Sequence, residues 1–316
     1  MKSDALTLPM STAETDSFSM KCRVCASAKV DFICETPNEH SETESISSYR
    51  CGDCGLVFVG NEFSDEELAF AYGTLESGHY YYEIAAENRD KMRTAAGNLK
   101  EIAEPKSRII DIGTGNGEFL KVLTEAGFEN VSGHEIPGSD LSGVENFADA
   151  IYRDYDYSSI PSAHFDVVTL LDVVEHVRDP QYLIDQCFRI LKPGGHIYFH
   201  TPVVTRTDRL MHRMTKIPAA SKIAQTWLRG RTSIFHLQNY SRNSLRLLLN
   251  KGGFQLISLE IKNELSWPVG RYVQVYIVDR LNLPNIAGPL LTPAVYPLIA
   301  TNFFNANKSI VLAQKP

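Results

Sequence analysis

From residue 108 onward the chain alternates short apolar runs with longer amphipathic stretches. The apolar runs have the length of buried strands, and the amphipathic stretches repeat their apolar positions with helical spacing. Strand–helix alternation with short links is typical of α/β proteins, so we expect a doubly wound, mostly parallel seven-stranded sheet. The predicted strands cover residues 108–112, 130–135, 150–153, 165–171, 196–200, 254–261 and 309–313.

Three of the intervening helices carry recognisable ends. One begins at Glu118 and is closed by Gly127. A second opens with Asp179 as N-cap, followed by proline, and the Lys-Pro-Gly-Gly of residues 192–195 is expected to end it. Ser241 is the expected cap of a third, leucine-rich helix.

The part of the chain before this pattern divides by composition. Its last portion is expected to hold two helices, with Ser64 capping the first and the second running to about Glu104 before a proline. The predicted segments are a disordered leader (1–20), a cysteine-bearing module (21–60), a helical connector (61–104) and the α/β domain (105–316).

Composition and charge narrow the class of protein. Hydrophobic residues make up 43% of the 316, which is globular composition and excludes a collagen-like or disordered chain. The net charge of −7 argues against a protein that coats nucleic acid. No run of eighteen apolar residues exists, so we expect no transmembrane helix. The first twenty residues lack the apolar core of a signal peptide, and the cytoplasm is the expected location.

A glycine-rich turn follows the first predicted strand. It reads Asp-Ile-Gly-Thr-Gly-Asn-Gly over residues 111–117, and glycines at such a turn let the backbone bend sharply and approach a ligand. Glu135 ends the next strand, where a carboxylate can accept hydrogen bonds from both hydroxyls of a ribose. The dinucleotide fingerprint requires its third glycine at position 118, where this chain has Glu118. A carboxylate there disfavours an anionic pyrophosphate and tolerates a cationic ligand.

Together with three further stretches, this turn resembles the class I S-adenosylmethionine-dependent methyltransferases. The stretches are residues 165–168, the Val-Glu-His-Val-x-Asp-Pro of 174–180 and the Arg-x-Leu-Lys-Pro-Gly-Gly of 189–195. The resemblance covers about residues 105–316 and implies S-adenosylmethionine as cofactor. It implies that Asp111, Gly113 and Gly115 hold the methionine end, that Glu135 binds the ribose, that Asp154 (or Asp156) contacts the adenine, and that Leu171 and Asp172 line the cofactor.

Two Cys-x-x-Cys pairs lie in the module before the α/β domain. Cys22 and Cys25 are followed, after a spacer of twenty-five residues, by Cys51 and Cys54, a donor set for tetrahedral zinc. Four thiolates close the coordination sphere, so the predicted zinc is structural, and a small hairpin must fit between the pairs. The arrangement resembles the N-terminal zinc module of methyltransferases in sugar and natural-product pathways.

The acceptor side of the site is less marked in the sequence. Methyl transfer needs an aimed nucleophile and often a base, and histidine is the usual base near neutral pH. His236 matches a recurrent histidine of the related sugar enzymes and is the first candidate base, and His176 is the second. Tyr240 is a further catalytic candidate. The connector is expected to line the active site through an aromatic cluster, His79, Tyr80 and Tyr81.

Two later segments bear on partners. The insert of residues 203–235 holds seven basic residues and one acid, a local net charge of +6 in an acidic chain. A basic lid of this kind is suited to a phosphorylated or otherwise anionic acceptor. Residues 281–304 are apolar but interrupted by four prolines, which predicts a packed helical hairpin or a homodimer contact.

The sequence therefore predicts methyl transfer to a small acceptor, a nucleotide-activated sugar or a natural-product intermediate. Two alternatives stay open at this level: an RNA-modifying methyltransferase whose zinc ribbon docks nucleic acid, and a non-catalytic cofactor-binding scaffold. The acidic total and a ribbon without basic residues interleaved with aromatics make nucleic acid the less expected partner.

Overall fold

The structure is a computed structural model, and it describes residues 20–37, 45–63, 85–137, 141, 144, 147–229, 231–233, 235–265 and 267–316. Residues 1–19, the helix expected after Ser64 and the aromatic residues 79–82 lie outside these ranges. The strands are β1 Val30–Pro37, β2 Ser45–Cys51, β3 Val57–Val59, β4 Arg108–Ile112, β5 Asn130–Glu135, β6 Ala150–Arg153, β7 Phe165–Leu171, β8 Leu191–Pro202, β9 Gln238–Asn239, β10 Gln255–Lys262 and β11 Lys308–Gln314. The helices are α1 Ala85–Leu99, α2 Glu118–Glu125, α3 Pro180–Ile190, α4 Arg206–Met214, α5 Pro218–Leu228, α6 Arg242–Lys251, α7 Val269–Val273, α8 Ala287–Ala300 and α9 Asn302–Asn305, with a π-helix at Gln274–Asp279.

The larger sheet has seven strands in the order β10-β11-β8-β7-β4-β5-β6. The five strands from β8 to β6 are parallel, and β11 runs antiparallel to both of its neighbours. Four of the predicted strands, β4 to β7, have the predicted bounds. The central strands are buried on both faces, which is why they read as unbroken apolar runs. The predicted α/β class and seven-stranded sheet are confirmed.

Helix ends follow the predicted caps with two exceptions. The Tyr182 amide donates to Asp179 Oδ1 at 2.9 Å, and the Ser244 amide donates to Ser241 Oγ at 3.0 Å, so both caps are confirmed. Helix α1 ends at Leu99, five residues before the predicted end, after a Gly-Asn pair that favours turns. Helix α3 ends at Ile190, close to the predicted end, but residues 192–195 form no cap: they lie within β8, where the pairing with β7 shifts register, and are a bulge at the start of a longer strand.

The cysteine-bearing module shares a sheet with the α/β domain. Strands β1, β2 and β3 form an antiparallel meander, and β1 and β2 supply the hairpin that the sequence requires between the cysteine pairs. The fourth strand of this sheet is β9, which pairs with β3 but belongs to the α/β domain. The module is therefore continuous with the larger domain through backbone hydrogen bonds.

The basic insert folds into two helices. Helices α4 and α5 bury Met211, Ala224 and Leu228 in one cluster with Ile33 of β1 and Val57 of β3. The insert therefore packs against the cysteine-bearing module with its apolar side. Five of its seven basic side chains are exposed: Arg206, Arg209, Arg213, Lys216 and Lys222.

The apolar C-terminal segment forms α8 and the short α9. Pro293 and Pro297 lie inside α8. Within the described part of the chain, no helix has both the length and the apolar character needed to cross a membrane.

Candidate functional site

The glycine turn lies at the carboxyl end of β4, in the middle of the sheet. Gly113, Gly115 and Gly117 have φ values of 72°, 55° and 78°, in the left-handed region that favours glycine. A Cβ at Gly113 would come within 2.7 Å of Val173 Cγ2, whereas Gly115 has no neighbouring atom within 4 Å of such a position. The turn therefore packs tightly on one side and leaves open space beside Gly115, a cradle in which a ligand can approach the backbone.

Glu135 faces this cradle from the carboxyl end of β5. Its Oε2 accepts a hydrogen bond from the Gly115 amide at 2.8 Å, and its Oε1 accepts one from the Ile136 amide at 2.9 Å. These bonds place the carboxylate beside the turn. Ile136, which the sequence analysis did not single out, is 39% exposed at the same edge.

Asp111 is buried beneath the turn, at the end of β4. Thr169 of the adjacent β7 donates a hydrogen bond to its Oδ1 at 2.6 Å. Burial raises the pKa of Asp111 to about 7 despite the hydrogen bonds that it accepts. A buried carboxylate of this kind binds a proton or a cation more readily than an exposed aspartate does.

Hydrogen bonds hold the Asp154 carboxylate against its own loop and against His134. Its Oδ1 accepts hydrogen bonds from the Tyr157 amide at 2.5 Å and from His134 Nε2 at 3.2 Å, and its Oδ2 accepts both the amide (2.8 Å) and the hydroxyl of Ser159. Both oxygens are occupied, so an adenine contact would have to displace one of these donors. Asp156, the alternative, is exposed, and its Oδ1 accepts a hydrogen bond from the Ser158 amide at 3.1 Å.

Leu171 and Asp172 lie where β7 ends. Asp172 has a φ of 58°, and its carboxylate forms an ion pair with Lys308 at the start of β11. Burial alone would raise the pKa of Asp172, but the Lys308 ammonium lowers it. Lys308 was missed from the sequence because β11 is antiparallel and far along the chain, and only the sheet order brings its first residue to this edge.

The two candidate histidines lie together, one element beyond the glycine turn. The ring centroids of His176 and His236 are 5.0 Å apart, and one ligand atom from each, with a Glu175 oxygen, lie within 4.8 Å of one another. Such a group can hold a proton or a metal ion. Glu175 belongs to the Val-Glu-His-Val-x-Asp-Pro stretch of residues 174–180, in which the sequence assigned it no role. Only the folded chain shows that it lies next to His236.

Hydrogen bonds orient two members of this group. His176 Nδ1 lies against the Phe235 carbonyl, so in the neutral ring Nδ1 carries the proton and Nε2 carries the lone pair. Nε2 is 3.9 Å from Glu175 Oε1. Thr201 donates to Glu175 Oε2 at 3.0 Å, whereas Oε1 is buried without a hydrogen-bond partner in the described structure.

Burial keeps all three groups uncharged. It raises the pKa of Glu175 to about 8, with the Asp172 charge adding to the effect. It lowers the pKa of His236 to about 3, helped by His176, and it lowers the pKa of His176 as well. Both imidazoles are therefore neutral proton acceptors at physiological pH.

Tyr240 lies in the core and not at the surface beside His176 and His236. It is fully buried, and its hydroxyl donates to the Val174 carbonyl at 3.0 Å with Gln238 Oε1 at 3.3 Å. Its pKa is raised well above the ordinary value by burial. This placement gives a packing role and corrects the prediction that Tyr240 acts in catalysis.

Glu118, at the start of α2, has a cationic partner in the connector helix. Arg89 of α1 donates to Glu118 at 2.6 Å and to Glu125 at 2.8 Å. These ion pairs fix α1 along α2, beside the glycine turn. The acid that distinguishes this turn from the dinucleotide fingerprint therefore also holds the connector in place.

The four cysteines of the two pairs converge on one point. Cys22 Sγ is 3.4 Å from Cys54 Sγ, Cys25 Sγ is 3.5 Å from Cys51 Sγ, and all four sulfurs lie within 4.8 Å of one another. Sulfurs about 2.3 Å from a tetrahedral zinc are about 3.8 Å apart, so the donor set fits Zn²⁺. The hydrogen bond from Cys54 lowers the pKa of Cys22 to about 5, so the cluster already favours one thiolate.

Comparisons with known proteins agree with this geometry. A family model described as "Methyltransferase domain" matches residues 79–259. The ubiquinone biosynthesis O-methyltransferase of Idiomarina loihiensis is 34% identical over 102 residues, 30% of this chain and 42% of that protein. Its counterpart in Pseudomonas entomophila is 31% identical over 102 residues, 30% of this chain and 44% of that protein. The chain thus spans less than half the length of these curated relatives.

A solved structure shows the same fold. It comes from the complex of the Haloferax volcanii Trm112 methyltransferase activator with a methyltransferase. It covers 75% of this chain and 93% of its own, with a TM-score of 0.50 and 15% identity. At this identity the likeness concerns the fold alone.

We predict that the purified protein contains about one zinc per chain, since four convergent thiolates form a closed site. Cys25→Ser should remove the metal and lower the melting temperature, because a structural zinc contributes to folding. Metal analysis and thermal unfolding measure both. Cys34→Ala is the matched control: this buried thiol lies outside the cluster, and burial raises its pKa to about 11. Zinc retained by Cys25→Ser, or lost from Cys34→Ala, would contradict the assignment.

Proposed function

The chain belongs to the methyltransferase-domain family, and from that premise we propose that this S-adenosylmethionine-dependent methyltransferase methylates an oxygen of a small, anionic acceptor. The observation that carries the proposal is the pair of neutral histidines beside the cofactor cradle. The curated relatives are named O-methyltransferases, which supports oxygen as the atom methylated. A nucleotide-activated sugar or a natural-product intermediate fits this description.

The cofactor residues take distinct parts in the proposed complex. The backbone at Gly113 and Gly115 contacts the methionine end, and Asp111 beneath them favours its ammonium group. Glu135 accepts hydrogen bonds from the ribose hydroxyls, and Leu171 with Asp172 forms the floor of the cleft. S-adenosylmethionine supplies a sulfonium methyl group, and a cation suits a cleft lined by carboxylates.

In the proposed step the acceptor hydroxyl attacks the methyl group in line with the departing sulfur. The C–S bond breaks as the new C–O bond forms, sulfur leaves as a neutral thioether, and His236 takes the hydroxyl proton. His176 is a positioning residue, since its ring packs on His236 and its Nδ1–H is fixed on the Phe235 carbonyl. The nearby carboxylate of Asp172 favours the imidazolium that results.

The anionic nature of the acceptor is supported by the basic insert that leads into His236. Arg231, five residues earlier, pairs with Asp208 at 3.0 Å, and its charge is close enough to lower the pKa of His236. We also propose that the zinc is structural and holds β3 against β9, next to the same histidine.

Glu135→Ala should weaken S-adenosylmethionine binding by about 10- to 100-fold, since hydrogen bonds to a charged group contribute about 1.5–3 kcal/mol. Isothermal titration calorimetry measures the affinity directly. Glu129→Ala, an exposed acid outside the cleft, serves as control and should bind like the parent. Equal affinity of Glu135→Ala and the parent would remove Glu135 from the cofactor site.

Cofactor affinity should fall as the pH drops below about 7. The pKa of Asp111 is raised to about 7 in the free protein, so at lower pH the group is mostly protonated and must release its proton to bind a cation. Calorimetry between pH 5.5 and 7, in buffers of different ionisation enthalpy, measures the affinity and the protons released (about one per binding event). Asp111→Asn should bind more weakly and lose both effects. An unchanged pH dependence in Asp111→Asn would assign the proton to another group.

His236→Ala should lower kcat by about 100- to 10,000-fold with cofactor affinity unchanged, the range for removal of a general base. Burial depresses the pKa of both histidines, so the neutral, active form persists on acidification and the acid limb of kcat should lie below pH 6.5. His196→Ala, in the middle of β8 where it pairs with Val167 of β7, is the matched control. Full turnover by His236→Ala would exclude it as the base, and an intact cofactor affinity separates this outcome from failure of the cofactor assignment.

A further inference from the structure

Helix α8 presents an uncharged apolar face to the solvent. Residues 281–307 contain no Asp, Glu, Lys or Arg. Ile286 and Leu290 are 72% and 73% exposed, and Tyr296 is 51% exposed, whereas Gly288 and Ile299 on the opposite side are buried. A helix that is apolar on all sides is expected to be covered on all sides. Within the described structure, nothing packs against the outer face of α8, although a helix of this apolar composition is expected to be buried.

A row of basic side chains borders this face. Arg206, Arg209, Arg213 and Lys216 recur every three or four residues along one exposed side of α4 and its end, with Leu210 (43% exposed) among them. In the described part of the chain no acidic side chain forms an ion pair with any of the four. Such a row is poorly neutralised, although the chain as a whole is acidic.

Direct contacts join the basic row to the apolar face. The Arg206 guanidinium lies 4.1 Å from the centre of the Phe303 ring on α9, and Phe303 is 58% exposed. Thr207, one residue along α4, donates to the carbonyls of Leu298 at 3.1 Å and Phe304 at 3.3 Å. The start of α4 therefore contacts α9 and the C-terminal end of α8, and we call the outer sides of these three helices the α4–α8 face.

We propose that the α4–α8 face docks on the surface of an anionic lipid bilayer. Exposed Leu, Ile and Tyr side chains enter the boundary between headgroups and acyl chains, and the adjoining Arg and Lys side chains meet the anionic headgroups. A second copy of this chain is the rival occupant. A two-fold contact through this face would bring equal basic rows close to each other, and no acidic row lies on the face to meet them. Charge complementarity therefore favours the lipid.

The docked helices would lie in the plane of the interface. Helix α8 has 14 residues and is too short to cross the hydrocarbon region. The α4–α8 face is connected to the proposed acceptor site, since the insert that carries the basic row leads along the chain to His236. The proposal does not depend on the identity of the acceptor, and its test needs neither cofactor nor turnover.

The test is cosedimentation of the full chain with phosphatidylcholine vesicles, with or without about 30% phosphatidylglycerol. The protein should pellet with the anionic vesicles and not with the neutral ones, and added salt should release it. Arg209→Gln with Arg213→Gln should weaken binding about 25-fold, from about fivefold per basic residue. Lys100→Gln with Lys106→Gln, two exposed lysines elsewhere, is the matched control and should bind like the parent.

The apolar part of the face is tested by Leu290→Asn, with Ile257→Asn as control because Ile257 is 51% exposed on β10. Only Leu290→Asn should lose vesicle binding, and thermal unfolding verifies that both variants fold. No pelleting with anionic vesicles, or equal binding by the Arg209/Arg213 variant, would overturn the proposal. A concentration-dependent dimer in analytical ultracentrifugation that Leu290→Asn abolishes would assign the face to a second copy and would also overturn it.

Discussion

The backbone pairing of β3 with β9 is the contact on which the acceptor side of this structure depends. Phe58 pairs with Gln238, and the Val59 amide donates to the Leu237 carbonyl at 2.9 Å. His236 directly precedes Leu237, so the candidate base is attached to a strand that the cysteine-bearing module holds. Ser241 adds a hydrogen bond from its hydroxyl to the Cys54 carbonyl at 2.5 Å. A small module outside the catalytic domain therefore fixes the position of a proposed catalytic side chain.

Several ionisable side chains lie at the carboxyl edge of the larger sheet, although they are buried in apolar surroundings. Asp111 and Glu175 are both buried, and burial raises the pKa of each toward neutrality. Lys308 neutralises Asp172, but within the described structure Glu175 Oε1 has no hydrogen-bond partner. A buried carboxyl without a full set of partners costs stability, which natural folds tolerate mainly at sites that work on a ligand. The arrangement favours a cationic ligand, in agreement with a sulfonium cofactor.

The sequence predicted what depends on local pattern. Strands β4 to β7, the caps at Asp179 and Ser241, the sharp glycine turn and the place of Glu135 at the end of β5 all follow from periodicity and turn chemistry within short stretches. Convergence of the four cysteines also followed, because two Cys-x-x-Cys pairs limit the possible arrangements.

Contacts between distant parts of the chain were not predictable in this way. Lys308 reaches Asp172 only because β11 inserts antiparallel between β8 and β10. Tyr240 was expected on the wall of the pocket, yet its backbone pairs with Val203 and its ring is buried in the core. Asp154 was chosen by position after a strand, and nothing in the local sequence showed that His134 of β5 would occupy it.

Contacts with distant parts of the chain also hold the basic insert against the rest of the domain. Its base is closed by the bridge between Val203 and Tyr240 and by Arg231, which donates to the Val203 carbonyl at 2.8 Å. Its apolar side is fixed by packing of Met211 against the cysteine-bearing module. Because both ends and one side are held, the outer side of α4 has a defined orientation relative to His236. A surface that binds the α4–α8 face would therefore set the direction in which the acceptor cleft opens, without any change in the cleft itself.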